Sequence, residues 1–146
     1  MFMGEYHHNI DEKGRIVIPG KFRCENMDKV VITRGLEKCL YLYTMEEWEK
    51  VVNKLNVLPF TKKDARTFMR SFFAGATACE FDKSGRINIT SQLVNYAGLT
   101  KECVIIGVNS RIEIWDRGLY DEFILENSEK LESIAENLFE VANETL

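Results

Sequence analysis

The chain contains the same nine-residue pattern twice, and this duplication constrains its fold more than any other feature. Residues 11–19 read Asp-Glu-Lys-Gly-Arg-Ile-Val-Ile-Pro, and residues 82–90 read Asp-Lys-Ser-Gly-Arg-Ile-Asn-Ile-Thr. The aspartate, the glycine, the arginine and both isoleucines match at a constant offset of 71 residues. A pattern that returns at a fixed distance indicates that one structural unit occurs twice in the chain.

Each copy of the pattern predicts a tight turn followed by a strand. Gly14 and Gly85 occupy positions at which a turn needs a positive φ angle. The two isoleucines of each copy alternate with other residues, which is the period of a strand with one buried face. The Asp-x-x-x-Arg spacing predicts an ion pair that holds the turn. The spacing alone leaves open whether the arginines Arg15 and Arg86 also contact a ligand.

The match extends beyond the nine residues and sets the domain organisation. Each unit is predicted to run strand, turn, strand, short helical segment, hairpin and helix. The offset changes to 74 and 72 residues only where loops are expected, and loops tolerate insertions. We therefore divide the chain into a first repeat at residues 4–58, a linker helix at 59–74, a second repeat at 75–127 and a C-terminal amphipathic helix at 128–146.

The two units are expected to share one core, because neither has enough strands to bury both faces of a sheet. The expected fold is α+β, with a β-barrel-like core arranged about a pseudo-twofold axis and with helices attached. Four isoleucines are expected to line this core, namely Ile16, Ile18, Ile87 and Ile89.

Local signals predict where several helices begin and end. Capping-box patterns predict helix starts at Thr44 and at Thr61, and Gly98 is expected to close a helix over residues 91–97. The terminal helix is expected to open at Ser128 and to carry an apolar stripe that includes Ala142. Glutamates at four-residue spacing, up to Glu144, form a second stripe on it.

Charge is distributed unevenly along the chain. The net charge of −4 argues mildly against a nucleic-acid partner. Residues 1–90, however, hold 15 basic and 12 acidic residues, whereas residues 91–146 hold 4 and 11. A positive surface is therefore compatible with the negative total. No apolar run is long enough to span a bilayer, and the N-terminus lacks the pattern of a secretory signal, so we expect a soluble intracellular protein.

The cysteines and histidines do not indicate a metal site or a cofactor. Cys24, Cys39, Cys79 and Cys103 form no Cys-x-x-Cys pair, and isolated cysteines are usually small buried hydrophobic residues. The adjacent histidines at positions 7 and 8 would face opposite sides of a strand. We expect neither a metal ion nor a cofactor.

The linker helix carries basic residues every four positions, at Lys62, Arg66 and Arg70. Such a stripe is most often a solvated helix face. It also fits an edge that contacts phosphate groups, and these three residues are candidates for additional phosphate contacts.

Together the motifs resemble the MraZ family of bacterial transcriptional regulators. The resemblance rests on the duplicated Asp-x-x-x-Arg-Ile-x-Ile pattern, on Gly-x-Tyr before its first copy, and on Leu-Glu-Lys-Cys-Leu and Ile-Glu-Ile-Trp-Asp in the hairpins. It implies two AbrB-like (SpoVT-AbrB) units in a swapped-hairpin or cradle-loop barrel. It also implies a ring-shaped homo-oligomer in the cytoplasm, on the nucleoid. Such a ring would bind tandem repeats in promoter DNA, usually that of its own cell-division and cell-wall operon.

The resemblance implies that Arg15 and Arg86 contact DNA. The second copy departs from the first where Thr90-Ser91-Gln92 replaces Pro19-Gly20-Lys21, so we expect the first copy to contribute more. Lys13, Arg15, Lys21 and Arg23 are expected to cluster around the first turn. The full predicted DNA-binding set is Lys13, Arg15, Lys21, Arg23, Lys83 and Arg86.

Two other functions compete with DNA binding. Asp11 and Asp82 could form a carboxylate pair that shares a proton, as in a hydrolase. An arginine four residues after each aspartate would instead keep both ionised. The acidic C-terminal part of the chain fits a protein-interaction module without a DNA role.

Overall fold

The computed structural model describes residues 1–24 and 27–141. Both repeats follow the predicted order of elements. The strands are Phe2–Asn9 (β1), Arg15–Val17 (β2), Lys29–Arg34 (β3), Leu40–Thr44 (β4), Thr77–Glu80 (β5), Arg86–Asn88 (β6), Glu102–Asn109 (β7) and Arg111–Asp116 (β8). The α-helices are Met45–Leu55 (α1), Lys63–Gly75 (α2), Ser91–Ala97 (α3), Arg117–Asn127 (α4) and Leu131–Val141 (α5).

The two repeats exchange strands. Six strands form one antiparallel sheet in the order β1-β7-β8-β4-β3-β5. β1 of the first repeat pairs with β7 of the second, and β5 of the second repeat pairs with β3 of the first. Each repeat therefore adds its first strand to the hairpin of the other. The short strands β2 and β6 pair with each other as a separate two-stranded ribbon.

The expected closed β-barrel is wrong, because the six-stranded sheet is open. Within residues 1–24 and 27–141, β1 pairs only with β7 and β5 pairs only with β3, so both are edge strands. The three-residue strands β2 and β6 hydrogen-bond to one another, and no strand of the described residues connects the two edges. The fold is a mixed α and β structure with antiparallel sheets.

The core contains the four isoleucines of the repeated pattern, as predicted. Ile16, Ile18, Ile87 and Ile89 are at most 2% exposed. They share one hydrophobic cluster with residues of the large sheet such as Leu40. The ribbon therefore places one face in the core, which leaves its other face for the arginines of the pattern.

The repeats differ where their hairpins meet. In the β4–β8 pairing, Tyr41 lies opposite Glu113, and these two residues correspond to each other at the offset of 72. Glu113 is 7% exposed, and its carboxylate accepts hydrogen bonds from Arg111 Nη2 at 2.7 Å and Trp115 Nε1 at 2.9 Å. The Arg111 guanidinium lies 4.2 Å from the centre of the Tyr41 ring. Glu113 is therefore a buried charge with the partners that such a charge requires.

The helix starts of α1 and α3 agree with the sequence prediction, whereas the start of α2 differs from it. Thr44 caps α1, because its hydroxyl accepts a hydrogen bond from the Glu47 N–H at 3.1 Å. The predicted cap at Thr61 is wrong. α2 begins after Lys62, which makes no side-chain capping bond. In the second repeat, α3 spans Ser91–Ala97 and Gly98 ends it in the left-handed conformation, both as predicted. Thr90 caps this helix by accepting a hydrogen bond from the Leu93 N–H at 3.3 Å, which the sequence analysis did not foresee.

The described residues form two compact units, one up to Asp116 and the other from Arg117 onward. The second unit contains α4 and α5. The terminal helix starts at Leu131 rather than at the predicted Ser128, whose backbone N–H bonds to Ile124 instead. Ala142 and Glu144 lie outside the described residues. The predicted four-part division at residues 58, 74 and 127 stays a prediction. None of the helices in the described ranges is long and apolar enough to cross a membrane.

Candidate nucleic-acid interface

The turn at residues 11–15 is closed by the side chain and the backbone of one aspartate. Asp11 Oδ1 accepts hydrogen bonds from the backbone N–H groups of Lys13 and Arg15, both at 2.9 Å. The Asp11 N–H donates to the Arg15 carbonyl at 2.9 Å, and the Gly14 N–H donates to the Asp11 carbonyl at 3.0 Å. Gly14 has a φ of +84°, so the turn uses the positive φ angle that the sequence predicts.

The same aspartate orients the arginine side chain. Arg15 Nε donates to Asp11 Oδ2 at 2.8 Å, which confirms the predicted ion pair. Within the described residues, the terminal nitrogens Nη1 and Nη2 make no further hydrogen bond. The guanidinium is therefore held at one edge and offers its other donors to solvent.

The second turn repeats this geometry. Arg86 Nε donates to Asp82 Oδ2 at 2.8 Å, and Asp82 Oδ1 accepts the N–H groups of Ser84 and Arg86 at 2.9 Å. Gly85 has a φ of +75°. The turns are linked by reciprocal bonds, because Ile18 N–H donates to the Gly85 carbonyl and Ile89 N–H donates to the Gly14 carbonyl.

The two arginines project from the same outer face of the ribbon. The register pairs Arg15 with Asn88 and Arg86 with Val17, so the arginines occupy diagonal positions. Residues on one strand alternate between faces, and the opposite face carries the buried Ile16 and Ile87. By strand geometry the Cα atoms of Arg15 and Arg86 lie about 8 Å apart. Both side chains are about one third exposed.

The pKa of each turn aspartate is lowered. For Asp11 the main cause is the hydrogen bond from the Arg15 backbone N–H, with the Arg15 side chain and the Lys13 N–H adding to it. The Asp82 carboxyl has the matching set of causes from Arg86 and Ser84. A proton-sharing carboxylate pair needs one carboxyl with a raised pKa, so the geometry of these turns argues against the hydrolase alternative.

Arg23 does not join the first turn, which corrects the predicted cluster. A Cβ atom placed on Gly85 would collide with Arg23 Nη1 and lie 2.5 Å from Arg23 Cζ. The guanidinium of Arg23 therefore lies against the second turn, which is the turn that carries Lys83 and Arg86. The sequence missed this because the non-local pairing of β2 with β6 brings the segment after β2 next to the turn of the second repeat.

The first turn has polar neighbours from the second repeat instead. It borders a cavity of about 250 Å³ that is lined by Lys13 and by residues of α3 and its flanks. Asn88 Oδ1 also approaches Gly14. The sequence analysis did not single out these residues, which are Asn88, Ser91, Asn95 and Thr100.

The remaining predicted contacts lie on the surface. Lys13, Lys21 and Lys83 are exposed, and Lys21 lies in the short 3-10 helix Gly20–Phe22. Lys62, Arg66 and Arg70 are exposed at the start and along α2. Arg66 Nη1 donates to the Phe60 carbonyl at 3.0 Å.

Metal-ligating and thiol groups do not form a second site. The part of the chain that the structure describes contains no group of three or more His, Cys, Asp or Glu residues placed to hold a metal ion. Three cysteines are buried, as expected, whereas Cys24 is exposed.

A comparison with known protein families identifies the two repeats. A family model described as "MraZ protein, putative antitoxin-like" matches the chain twice, at residues 1–71 and 72–142. The two matches together cover nearly the whole chain, and the boundary between them falls within α2.

Proposed function

The chain belongs to the MraZ family, a family of the regulator type, and we propose that it is a sequence-specific DNA-binding transcriptional regulator. One observation carries this proposal. Arg15 and Arg86 project side by side from one outer face, and an aspartate fixes each guanidinium at Nε. An arginine oriented in this way has two terminal nitrogens available for one base.

Base recognition is assigned to these arginines because of the atoms that they present. Arginine recognises guanine through paired hydrogen bonds to O6 and N7 in the major groove. Nη1 and Nη2 can donate this pair while Nε remains bonded to the aspartate. Asp11 and Asp82 are then positioning residues, since they restrict the arginine rotamer before DNA arrives and reduce the entropy lost on binding.

Affinity comes mainly from the other basic residues near the turns. Neutralising phosphates releases counterions from DNA, so binding should weaken steeply as salt rises. The proposed phosphate contacts are Lys13, Lys21, Arg23 and Lys83. Because Arg23 lies at the second turn, we assign that turn a larger share of binding than the sequence suggested.

We further propose a ring-shaped homo-oligomer that binds tandem repeats in promoter DNA, including the promoter of its own cell-division and cell-wall operon. One module makes few contacts and would bind weakly. Linked modules that meet repeated DNA boxes gain affinity through effective concentration. A site of action on the nucleoid follows from this role. The exchange of β1 and β5 between repeats supports an AbrB-like, swapped-hairpin relationship of the two units.

The test is a binding titration with DNA from upstream of this protein's own gene, beside a scrambled duplex, at two salt concentrations. Parent, Arg15→Ala and Arg86→Ala are compared with Lys54→Ala, which removes an exposed positive charge on α1. We expect selective binding by the parent. Each arginine variant should lose about 1–3 kcal/mol of affinity for the specific duplex, and the control should bind like the parent.

The outcomes separate the function from the site. Equally weak binding of the parent to both duplexes would overturn the regulator proposal. Selective binding that the double variant Arg15→Ala/Arg86→Ala retains would leave the function standing and overturn the arginine assignment. Asp11→Asn should reduce affinity for the specific duplex more than for the scrambled one, because its effect is on orientation.

A further inference from the structure

The connection between α1 and α2 exposes apolar side chains that the proposed DNA contact does not use. Val57 and Phe60 are each 81% exposed, and Leu58 is 38% exposed. We call these three residues the connector tip. Exposed large hydrophobic residues that lie together, bordered by polar groups, usually mark an interaction site. The connector tip is therefore a candidate contact for a partner that offers an apolar environment.

The segment around the connector tip is strongly basic. Residues 50–70 hold six basic residues, and their one acidic residue is Asp64. The segment therefore carries a net charge of +5, which leaves −9 for the rest of a chain whose total is −4. A partner of the connector tip should accordingly be negatively charged as well as apolar.

The basic residues nearest to the tip are free to meet such a partner. Lys54 lies in the last turn of α1, and Lys62 and Lys63 begin α2. All three are exposed, and within the described residues they form no ion pair. Arg66 Nη1 donates to the Phe60 carbonyl at 3.0 Å, which holds a further positive charge beside the tip.

The two helices that carry the connector pack on the face of the large sheet opposite to the ribbon. On β4, Leu42 belongs to the hydrophobic cluster that contains the ribbon isoleucines. The next residue, Tyr43, points to the other face, where its ring lies 5.8 Å from that of Trp48 in α1. On β3, the Thr33 hydroxyl donates to the Phe72 carbonyl in α2. A partner of the connector tip would therefore lie on the side away from Arg15 and Arg86.

We propose that the connector tip binds the surface of a membrane that contains anionic lipids. The side chains of Val57, Leu58 and Phe60 enter the boundary between headgroups and acyl chains, where surface-bound segments bury their apolar residues. The basic residues around them meet the lipid phosphates, because basic clusters are attracted to anionic membranes. This inference goes beyond the proposed function and does not depend on it.

An anionic membrane explains the connector better than DNA or a second copy does. DNA phosphates would account for the charge but would leave Val57 and Phe60 in water. The same segment of a second copy would cover the apolar residues but would bring another charge of +5 against the first. A membrane with anionic lipids offers phosphates and an apolar layer at one surface. Because the ribbon lies on the opposite face of the sheet, a membrane-bound copy still presents Arg15 and Arg86 to DNA.

The first experiment measures flotation of the parent with lipid vesicles in the absence of DNA. Phosphatidylcholine vesicles are compared with vesicles that also contain phosphatidylglycerol. The parent should float with the anionic vesicles only, and rising salt should release it. Lys62→Gln/Lys63→Gln should lower the vesicle partition coefficient about 10- to 30-fold. Lys29→Gln/Lys101→Gln makes the same charge change at exposed positions elsewhere and should bind like the parent.

The apolar part of the contact is tested on the same vesicles. Val57→Ser/Phe60→Ser should lower the partition coefficient at least about 10-fold, because two apolar side chains no longer leave water. Phe60→Trp keeps an apolar ring and should bind at least as well as the parent. Met3→Ser removes a side chain that is 69% exposed on β1 and should leave vesicle binding unchanged.

A lysine footprint tests the contact without any variant. Acetylation of the parent is followed by mass spectrometry with and without anionic vesicles. Lys54, Lys62 and Lys63 should be acetylated several-fold more slowly on the vesicles, whereas Lys29 and Lys101 should react at the same rate. Uniform rates at all five lysines, under conditions in which the protein floats, would overturn the proposed contact.

Three further results would overturn the proposal. The first is a parent that binds anionic vesicles no better than neutral ones. The second is a loss of vesicle binding in Arg15→Ala/Arg86→Ala as large as that in the connector variants, which would place the contact at the ribbon. The third is a change in sedimentation of Val57→Ser/Phe60→Ser with unaltered vesicle binding, which would assign the tip to a contact between copies. Vesicle binding is measured without DNA, so its failure is distinguishable from failure of the DNA proposal.

Discussion

The guanidinium of Arg23 lies against Gly85, although the two residues belong to different repeats. Gly85 has no Cβ, and this absence makes room for the guanidinium beside the turn that carries Arg86. The antiparallel pairing of β2 with β6 produces this arrangement, because it places the segment that follows β2 beside the turn that precedes β6. Each arginine turn is therefore completed by side chains from the other repeat.

Arg23 should accordingly behave as part of the second turn in a double-mutant cycle. Arg23→Ala and Arg86→Ala should be non-additive in DNA affinity by at least about 0.5 kcal/mol, since neighbouring residues couple. The losses of DNA affinity caused by Arg23→Ala and by Arg15→Ala should be additive to within about 0.5 kcal/mol. The four affinities of each cycle are measured by titration at one salt concentration. Additivity with Arg86 and coupling with Arg15 would contradict the placement of Arg23.

The two turn glycines should differ in how well they tolerate alanine. Both have positive φ angles, which cost a non-glycine residue about 1–2 kcal/mol. A Cβ on Gly14 would also collide with the Ile89 carbonyl oxygen, whereas a Cβ on Gly85 meets the movable end of Arg23. Gly85→Ala should therefore cost about 1–2 kcal/mol, and Gly14→Ala should cost more than that. Urea unfolding measures both, and equal losses would contradict the argument.

The sequence predicted the local structure well because local structure depends on near neighbours. The turns of Asp11 and Asp82, the isoleucine core and the cap at Thr44 all follow from spacings of four residues or fewer. The barrel prediction was wrong because strand pairing is non-local. Nothing in the pattern shows that β2 and β6 pair with each other and leave β1 and β5 as edges. Arg23 was misplaced for the same reason.

Thr44 and Thr61 both open a capping-box pattern in the sequence, but they differ in whether they cap a helix in the structure. Both precede an acidic residue by three positions, but only Thr44 accepts a capping hydrogen bond. Thr44→Ala should lower the free energy of unfolding by about 1 kcal/mol. Thr61→Ala should change it by less than about 0.5 kcal/mol. Thermal and urea unfolding of both variants measure the difference, and a reversed order would contradict the assigned helix starts.

The four cysteines should react with thiol reagents at very different rates. Burial raises the pKa of Cys39 and that of Cys103 to about 12, and it also raises the pKa of Cys79. Only the thiolate is nucleophilic, so these three thiols should be slow at pH 8. Cys24 is exposed and should give the single fast phase. Mass spectrometry locates the label, and Cys24→Ser should abolish the fast phase.

The lowered pKa of Asp11 and of Asp82 predicts how acid affects the turns. The ordinary pKa of an aspartate is 3.8, and both values lie below it. A carboxyl with a lowered pKa in the folded state adds stability above its unfolded pKa, and this addition is lost as the pH falls through the folded pKa. The stability that the ionised Asp11 and Asp82 add to the folded state should therefore decrease below about pH 4.

The double variant Asp11→Asn/Asp82→Asn tests this dependence. Asparagine keeps an oxygen acceptor for the backbone N–H groups but removes both charges. The parent should be more stable than the variant from pH 5 to 7, and the difference should shrink as the pH drops below about 4. Urea unfolding at half-unit pH steps measures it. A difference that stays constant down to pH 3 would show that charge at these aspartates does not stabilise the turns, and it would remove the electrostatic basis for their positioning of Arg15 and Arg86.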